Sequence, residues 1–165
     1  VLPDVLRPGL AVVFCGTAAG GASARAGAYY AGPGNKFWPV LARTGLTPRP
    51  LAPREFALVL EHGIGLTDLV KRASGGDASL AKSDFDVPAF VEKLARHLPA
   101  IVAFNGKAAA KAALGVKQVE YGMQRTSLAE SVVWVLPSTS GAANGAWNEA
   151  HWFALAKAVR ELRSY

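Results

Sequence analysis

Residues 10–21 read "LAVVFCGTAAGG". A run of apolar residues climbs to Gly16 and then breaks into glycine and alanine, with Thr17 the one polar side chain in the break. A short apolar run ending on glycine is the pattern of a buried strand that delivers a loop to the rim of a sheet. So bare a loop lets backbone approach a ligand closely, yet supplies almost no chemistry of its own. Two further runs, "AIVAF" (100–104) and "SVVWVL" (131–136), end in the same way at Asn or Pro. Between these strands lie "NKFWPVLARTG", "PREFALVLEHG", "VPAFVEKLARHL" and "GKAAAKAALG", with apolar residues recurring at three and four. Pro53 and Pro88 suit first helical turns, and Gly45, Gly63 and Gly115 suit helix ends. Residues 146–165 place Trp152, Leu155, Ala156, Val159 and Leu162 on one face, which predicts a docked C-terminal helix. Alternation of strand and helix gives an α/β fold, a three-layer α/β/α arrangement around a central, mostly parallel sheet.

A chain of 165 residues, 51% hydrophobic, is enough for one domain over 1–165 with a sizeable core. No apolar stretch approaches the roughly 18 residues of a membrane helix, and "VLPDVLRPGL" lacks the regions of a signal peptide. The expectation is a soluble intracellular protein with no membrane partner. One cysteine, Cys15, makes no internal disulfide and reads as a buried, inert thiol at a strand end. A net charge of +6 favours a polyanionic partner such as nucleic acid.

Ligands of such sheets bind beyond the carboxyl ends of the strands. That rule selects the loop after Cys15, the turn "GIGLTDL" (63–69), "FNGK" (104–107) and "LPSTSGAANGAW" (136–147). The small, polar segment 73–84 reads as a mobile surface loop. The glycines of "GTAAGGASARAG" lack the dinucleotide spacing, and Lys36 of "GPGNK" is followed by Phe37 rather than Ser or Thr, so no nucleotide cofactor is expected. His62, His97 and His151 stand far apart without partners at ligand spacing, so no metal is expected either. The serines of "STSG" lack a nucleophile elbow. More telling is "AYYAGPGNKFW" (28–38), whose tandem tyrosines and Asn35 suit a pocket that stacks on and hydrogen-bonds a flat heterocycle. Phe37 and Trp38 fit core packing equally well.

Taken together, "LRPGLAVVFCGTAAGG", "AYYAGPGNKFWPVLARTGL", "GIGLTDLVKR" and "VWVLPSTSGAAN" resemble, in order, the mismatch-specific uracil DNA glycosylases. These are bacterial relatives of thymine DNA glycosylase within the uracil DNA glycosylase superfamily. The resemblance implies a uracil DNA glycosylase-like fold and a monofunctional enzyme of base excision repair. Such an enzyme flips uracil, or a related damaged base, out of duplex DNA and hydrolyses its N-glycosidic bond without metal or cofactor. It further implies a monomer acting on double-stranded DNA that carries uracil or mismatched bases, in the bacterial cytoplasm at the nucleoid. A superfamily branch acting on deaminated purines such as hypoxanthine is the nearest alternative, and a catalytically dead binder of damaged DNA is the alternative from another class.

In that family the first motif usually reads G-I-N-P-G, and its asparagine positions the attacking water. The matching segment here is Gly16-Thr17-Ala18-Ala19-Gly20, so Ala18 stands in the asparagine's place. A methyl group neither orients nor polarises water. Two candidates for the lost role sit at strand ends. Asp68, where the relatives can carry lysine, would stabilise oxocarbenium character and take a proton from water, and it is the first choice. Its structural alternative is a turn or N-cap aspartate. Asn105 reads as a second catalytic candidate, as a ligand to the base edge, or as the N-cap of the helix beginning at Gly106. By resemblance, backbone amides around Gly16, Thr17 and Ala18 hold a pyrimidine carbonyl, Tyr30 stacks on the flipped base, and Asn35 reads the base or braces the loop. The stretch Pro137 to Asn144 matches the loop that enters the duplex. Ser138 and Ser140 suit phosphate contacts there, and Gly141, Ala142, Ala143 and Asn144 form its tip, with alanines smaller than a typical wedge.

Overall fold

The computed structural model describes residues 2–71 and 85–163. Five strands form one sheet in the order β2-β1-β3-β5-β4. They are β1 (Val12–Gly16), β2 (Ile64–Asp68), β3 (Ile101–Asn105), β4 (Gly122–Leu128) and β5 (Ser131–Leu136). The first four in spatial order run parallel, and β4 closes one edge antiparallel to β5. Helices are α1 (Gly21–Ala26), α2 (Phe37–Arg43), α3 (Val87–His97), α4 (Lys107–Leu114) and α5 (Glu149–Arg163). The segment Pro53–His62, expected to be an ordinary helix, winds as a 3₁₀ helix, with Pro53 in its first turn and Gly63 ending it at φ 74°.

Side chains alternate across each strand, and the alternation builds two cores. Val12, Phe14, Leu66, Ala103 and Leu136 face α2 and α5, where Leu41, Trp152 and Leu155 cover them. Cys15, Val102, Phe104, Val133 and Val135 face α3 and α4, covered by Phe90, Leu94, Ala109 and Ala110. Three layers are therefore a direct result of strands that are apolar on both faces. On the predicted face of α5, Trp152, Leu155, Ala156 and Val159 are fully buried, but Leu162, in the last turn, is exposed.

Two strands differ from the sequence expectation. Residues 64–68, read as part of a turn, form the edge strand β2, which also takes an antiparallel bridge from Val5 to Leu66. Gly65 permits that approach, since a Cβ there would meet Val5 O at 2.8 Å and Leu10 Cδ1 at 2.7 Å. Strand β4 was not expected at all. Its hairpin turns on Ala129 and Glu130, both with positive φ, as a two-residue turn matching strand twist requires. The segment 73–84, expected as a surface loop, lies outside the described residues. Among those that are described, no helix is long and apolar enough to cross a membrane.

Candidate active site

The carboxyl ends of β2, β1, β3 and β5 are neighbours in the sheet and open into one cavity of about 520 Å³. All four segments selected from the sequence contribute to it. Gly16, Thr17 and Ala18 line it from β1, Asp68 from β2, and Asn105 and Lys107 from β3 and the start of α4. Ser138, Thr139, Ser140, Ala142 and Ala143 close the far side.

Asp68 is the last residue of β2 and lies directly opposite Gly16 in the parallel register. It is only 5% exposed. Among the described residues its carboxylate caps no helix, and Asp68 ends a strand. A Cβ placed on Gly16 would fall 3.2 Å from Asp68 Oδ1, so the aspartate reaches over the bare backbone of β1. Burial pushes its pKa up to about 6; the Lys71 ammonium draws it back and the nearby Asp4 carboxylate adds to the rise. A carboxyl so placed is ionised at neutral pH and basic enough to accept a proton there.

Sequence reasoning missed the groups behind Asp68. Lys71 Nζ lies 3.6 Å from Asp68 Oδ2 and 2.9 Å from Asp4 Oδ1, and donates to the Tyr29 hydroxyl and the Leu2 carbonyl. Asp4 also pairs with Lys93 at 2.7 Å and accepts from the Thr67 hydroxyl. Burial would raise the Asp4 carboxyl, but Lys93, Lys71 and Thr67 hold it below its ordinary value. Only the i, i+3 spacing of Asp68 and Lys71 was visible in the sequence; the N-terminal segment arrives through a tertiary contact.

Tyr30 sits in the left-handed region at φ 52°, uncommon for a bulky residue. Its ring stacks on Phe37 with centroids 4.0 Å apart, and Phe37 in turn packs against Phe14 and Trp152 in the core. Its hydroxyl is buried, 3.4 Å from the position of a Gly16 Cβ, and has no hydrogen-bond partner among the described residues. Burial raises that phenol far above its ordinary value, the Asp68 charge adds to the rise, and the adjacent Asn105 amide works against it.

Asn105 ends β3, but its side chain does not cap α4, whose N-cap is Gly106. Instead its Nδ2 donates to Thr139 Oγ1 at 2.9 Å and its Oδ1 accepts from Thr139 N at 3.0 Å. It thus clamps the loop after β5 to the tip of β3. Asn35 lines the cavity while its Oδ1 accepts from Phe37 N at 3.0 Å, which braces the start of α2. Ser138 Oγ accepts from Ser140 N, and Ser140 Oγ from Ala142 N, both at 3.2 Å. Gly141 to Ala146 form a 3₁₀ turn at the rim, where Lys36 donates to Asn144 and lies over the Trp147 ring. Cys15 is fully buried and its thiol is pushed up by desolvation, in keeping with an inert core residue. Among the described residues no cluster of acidic, histidine or cysteine side chains is arranged to hold a metal ion.

The sequence model of the uracil DNA glycosylase superfamily matches residues 3–163. Among solved structures, a solution NMR structure of a candidate uracil DNA glycosylase from Methanosarcina acetivorans superimposes with a TM-score of 0.66. The two chains are 23% identical and each is covered to 96%, a likeness of fold.

Proposed function

The chain belongs to the uracil DNA glycosylase superfamily, and from that premise we propose that it is a monofunctional, mismatch-specific uracil DNA glycosylase. Its substrate is double-stranded DNA in which uracil stands opposite guanine. The base is flipped from the stack into the cavity beyond β1, and the N-glycosidic bond is hydrolysed there. The supporting observation is the buried Asp68 carboxylate held over Gly16 at the cavity floor.

Bond cleavage builds positive charge on the sugar, which a desolvated carboxylate stabilises more strongly than it would in water. The same carboxylate takes a proton from the attacking water; the water oxygen bonds to the sugar carbon, and the bonding pair leaves with the base. Tyr30, backed by Phe37, offers an aromatic wall for the flipped base, and Ser138 and Ser140 offer hydroxyls to the backbone phosphates. The protein acts as a monomer, and Ala18 leaves the water to Asp68.

A duplex carrying one G·U pair, incubated with the protein and then heated in alkali, is expected to break at the uracil. Ala18 also favours a second reading, a binder of damaged DNA without turnover, and binding without strand breakage would establish it. Breakage at hypoxanthine but not at uracil would move the protein to a purine-directed activity.

A further inference from the structure

Two oxygens flank one small gap on the cavity floor. A Cβ on Gly16 would lie 3.2 Å from Asp68 Oδ1 and 3.4 Å from the Tyr30 hydroxyl, so the two oxygens converge over this residue, which carries no side chain. Lys71 approaches the other Asp68 oxygen, Oδ2, and leaves Oδ1 toward the gap. The Tyr30 hydroxyl is buried and unpartnered. Asn105 comes near the same phenol, but its bonds of good geometry go to Thr139, and among the described residues the hydroxyl has no such bond.

A buried, unpaired hydroxyl is costly and calls for an explanation in function. So does the positive φ of Tyr30, which the Phe37 stack holds in place. Stacking on a base needs only the ring, and phenylalanine would provide it. The hydroxyl adds a polar atom aimed at the carboxylate side of the cavity, where the reacting water must sit if Asp68 is to deprotonate it.

We propose that the Tyr30 hydroxyl is the second anchor of the attacking water: the water gives one hydrogen to Asp68 Oδ1 and the other to the Tyr30 oxygen, over Gly16. With both hydrogens so engaged, the water's lone pair is left to attack the sugar carbon. In the step itself the oxygen–carbon bond forms, the carbon–nitrogen bond breaks with its electron pair on the base, and the water's proton passes to Asp68. Tyr30 keeps its own proton throughout. This inference rests on the glycosylase reading above and assigns to Tyr30 a contact to the water in addition to its wall for the base.

Single-turnover cleavage of a G·U duplex by the native protein, Y30F and D68N tests it, together with affinity for the same duplex carrying non-hydrolysable 2′-fluorodeoxyuridine. Y30F is expected to cleave about ten- to a hundredfold more slowly at saturating protein, since loss of one anchor misplaces the water. Its affinity for the analogue should stay within about twofold and its melting temperature should hold or rise, because an unpaired hydroxyl has been removed. A rate within about twofold of native, or a loss of affinity equal to the loss of rate, or a lower melting temperature, would overturn the assignment. Full activity in D68N would overturn the shared water site. A native protein without cleavage sinks the glycosylase reading itself, whereas an active native protein with an equally active Y30F sinks only the role of Tyr30.

Discussion

The two halves of the cavity rim are built on opposite principles. On the β1–β2 side, Asp68, Lys71, Asp4 and Lys93 form a partly buried chain of charges beside a strand tip with no side chain. On the β3–β5 side, Asn105, Ser138 and Ser140 are neutral, and their oxygens accept from neighbouring backbone amides. Charge in a dry site acts strongly on a reacting bond but costs stability, whereas a neutral network of satisfied groups holds geometry. On the proposed reading, the difference separates the side that would do the chemistry from the side that would keep the loop after β5 in place. Each substitution below challenges that division.

Largest in effect is Asp68→Asn, which removes the proposed base while keeping its shape. Turnover should fall by about 10²- to 10⁴-fold with little change in affinity for DNA. Stability should move the other way. The folded-state pKa of Asp68 is raised from 3.8 to about 6, so between these values the folded protein holds more protons than the unfolded chain. Native stability therefore falls as pH rises through this window, and the penalty is complete above it. D68N should melt higher than native at pH 7 to 8 by up to about 3 kcal/mol of stability, and the advantage should vanish below about pH 4. A variant that is both inactive and less stable at neutral pH would mean that Asp68 holds the fold together rather than straining it.

Next is Asn105→Ala, on the neutral side. It deletes both bonds to Thr139, itself 1% exposed, and should cost about 2 kcal/mol in thermal or urea unfolding. Turnover should drop by about tenfold through a loosened loop, with DNA affinity falling alongside. Were N105A as inactive as D68N but normally stable, the chemistry would belong to the neutral side.

Lys71→Met probes the charged side without touching the base. Its loss removes the nearest cation, while the Asp4 carboxylate, still held by Lys93 and Thr67, continues to face Asp68, and Tyr29, Tyr30 and Cys15 remain neutral around it. If Asp68 is the base, the native rate profile should show an acid limb near pH 6, and in K71M that limb should move up by about one unit. Rates measured above the shifted limb should match native. A lower plateau would give Lys71 a further role at the reacting bond.

Much of the fold that carries these two sides was legible in the sequence. The strands at 10–15, 100–104 and 131–136 carry β-branched, apolar runs, and two-faced burial leaves that signature wherever a parallel strand is central. The edge strands were hidden for a physical reason. β2 reads "IGLTD", where Gly65 serves a close approach by Val5 and Asp68 serves the cavity, so neither looks like a strand residue. β4 reads "GMQRTSL", mostly exposed, and its hairpin turn is Ala-Glu rather than Asn-Gly. Asp68 was legible from its place at a strand end just after a glycine-rich turn. Asp4 and Lys93 were not, because they lie more than twenty residues away on either side and join it only through folding. The clamp of Asn105 on Thr139 likewise spans 34 positions, which is why its residue read equally well as ligand or cap.

The smallest expected effect tests whether the neutral side does anything beyond holding its loop. Ala142 is exposed and Ala143 half-buried on the 3₁₀ turn, which Lys36 ties down through Asn144. A side chain that enters the stack offsets part of the few kcal/mol needed to extrude a base, and that cost is least where pairing is already weak. An alanine offers little such help, so the native protein should favour G·U over A·U. Ala142→Leu supplies a larger wedge on an exposed turn, at no cost to the clamp below it. It should raise cleavage of uracil opposite adenine by about two- to tenfold, leave cleavage opposite guanine nearly unchanged, and leave the acid limb set by Asp68 where it was. An equal gain on both substrates would mean that the added leucine tightens DNA binding in general, and an unchanged ratio would place the wedge elsewhere on the rim.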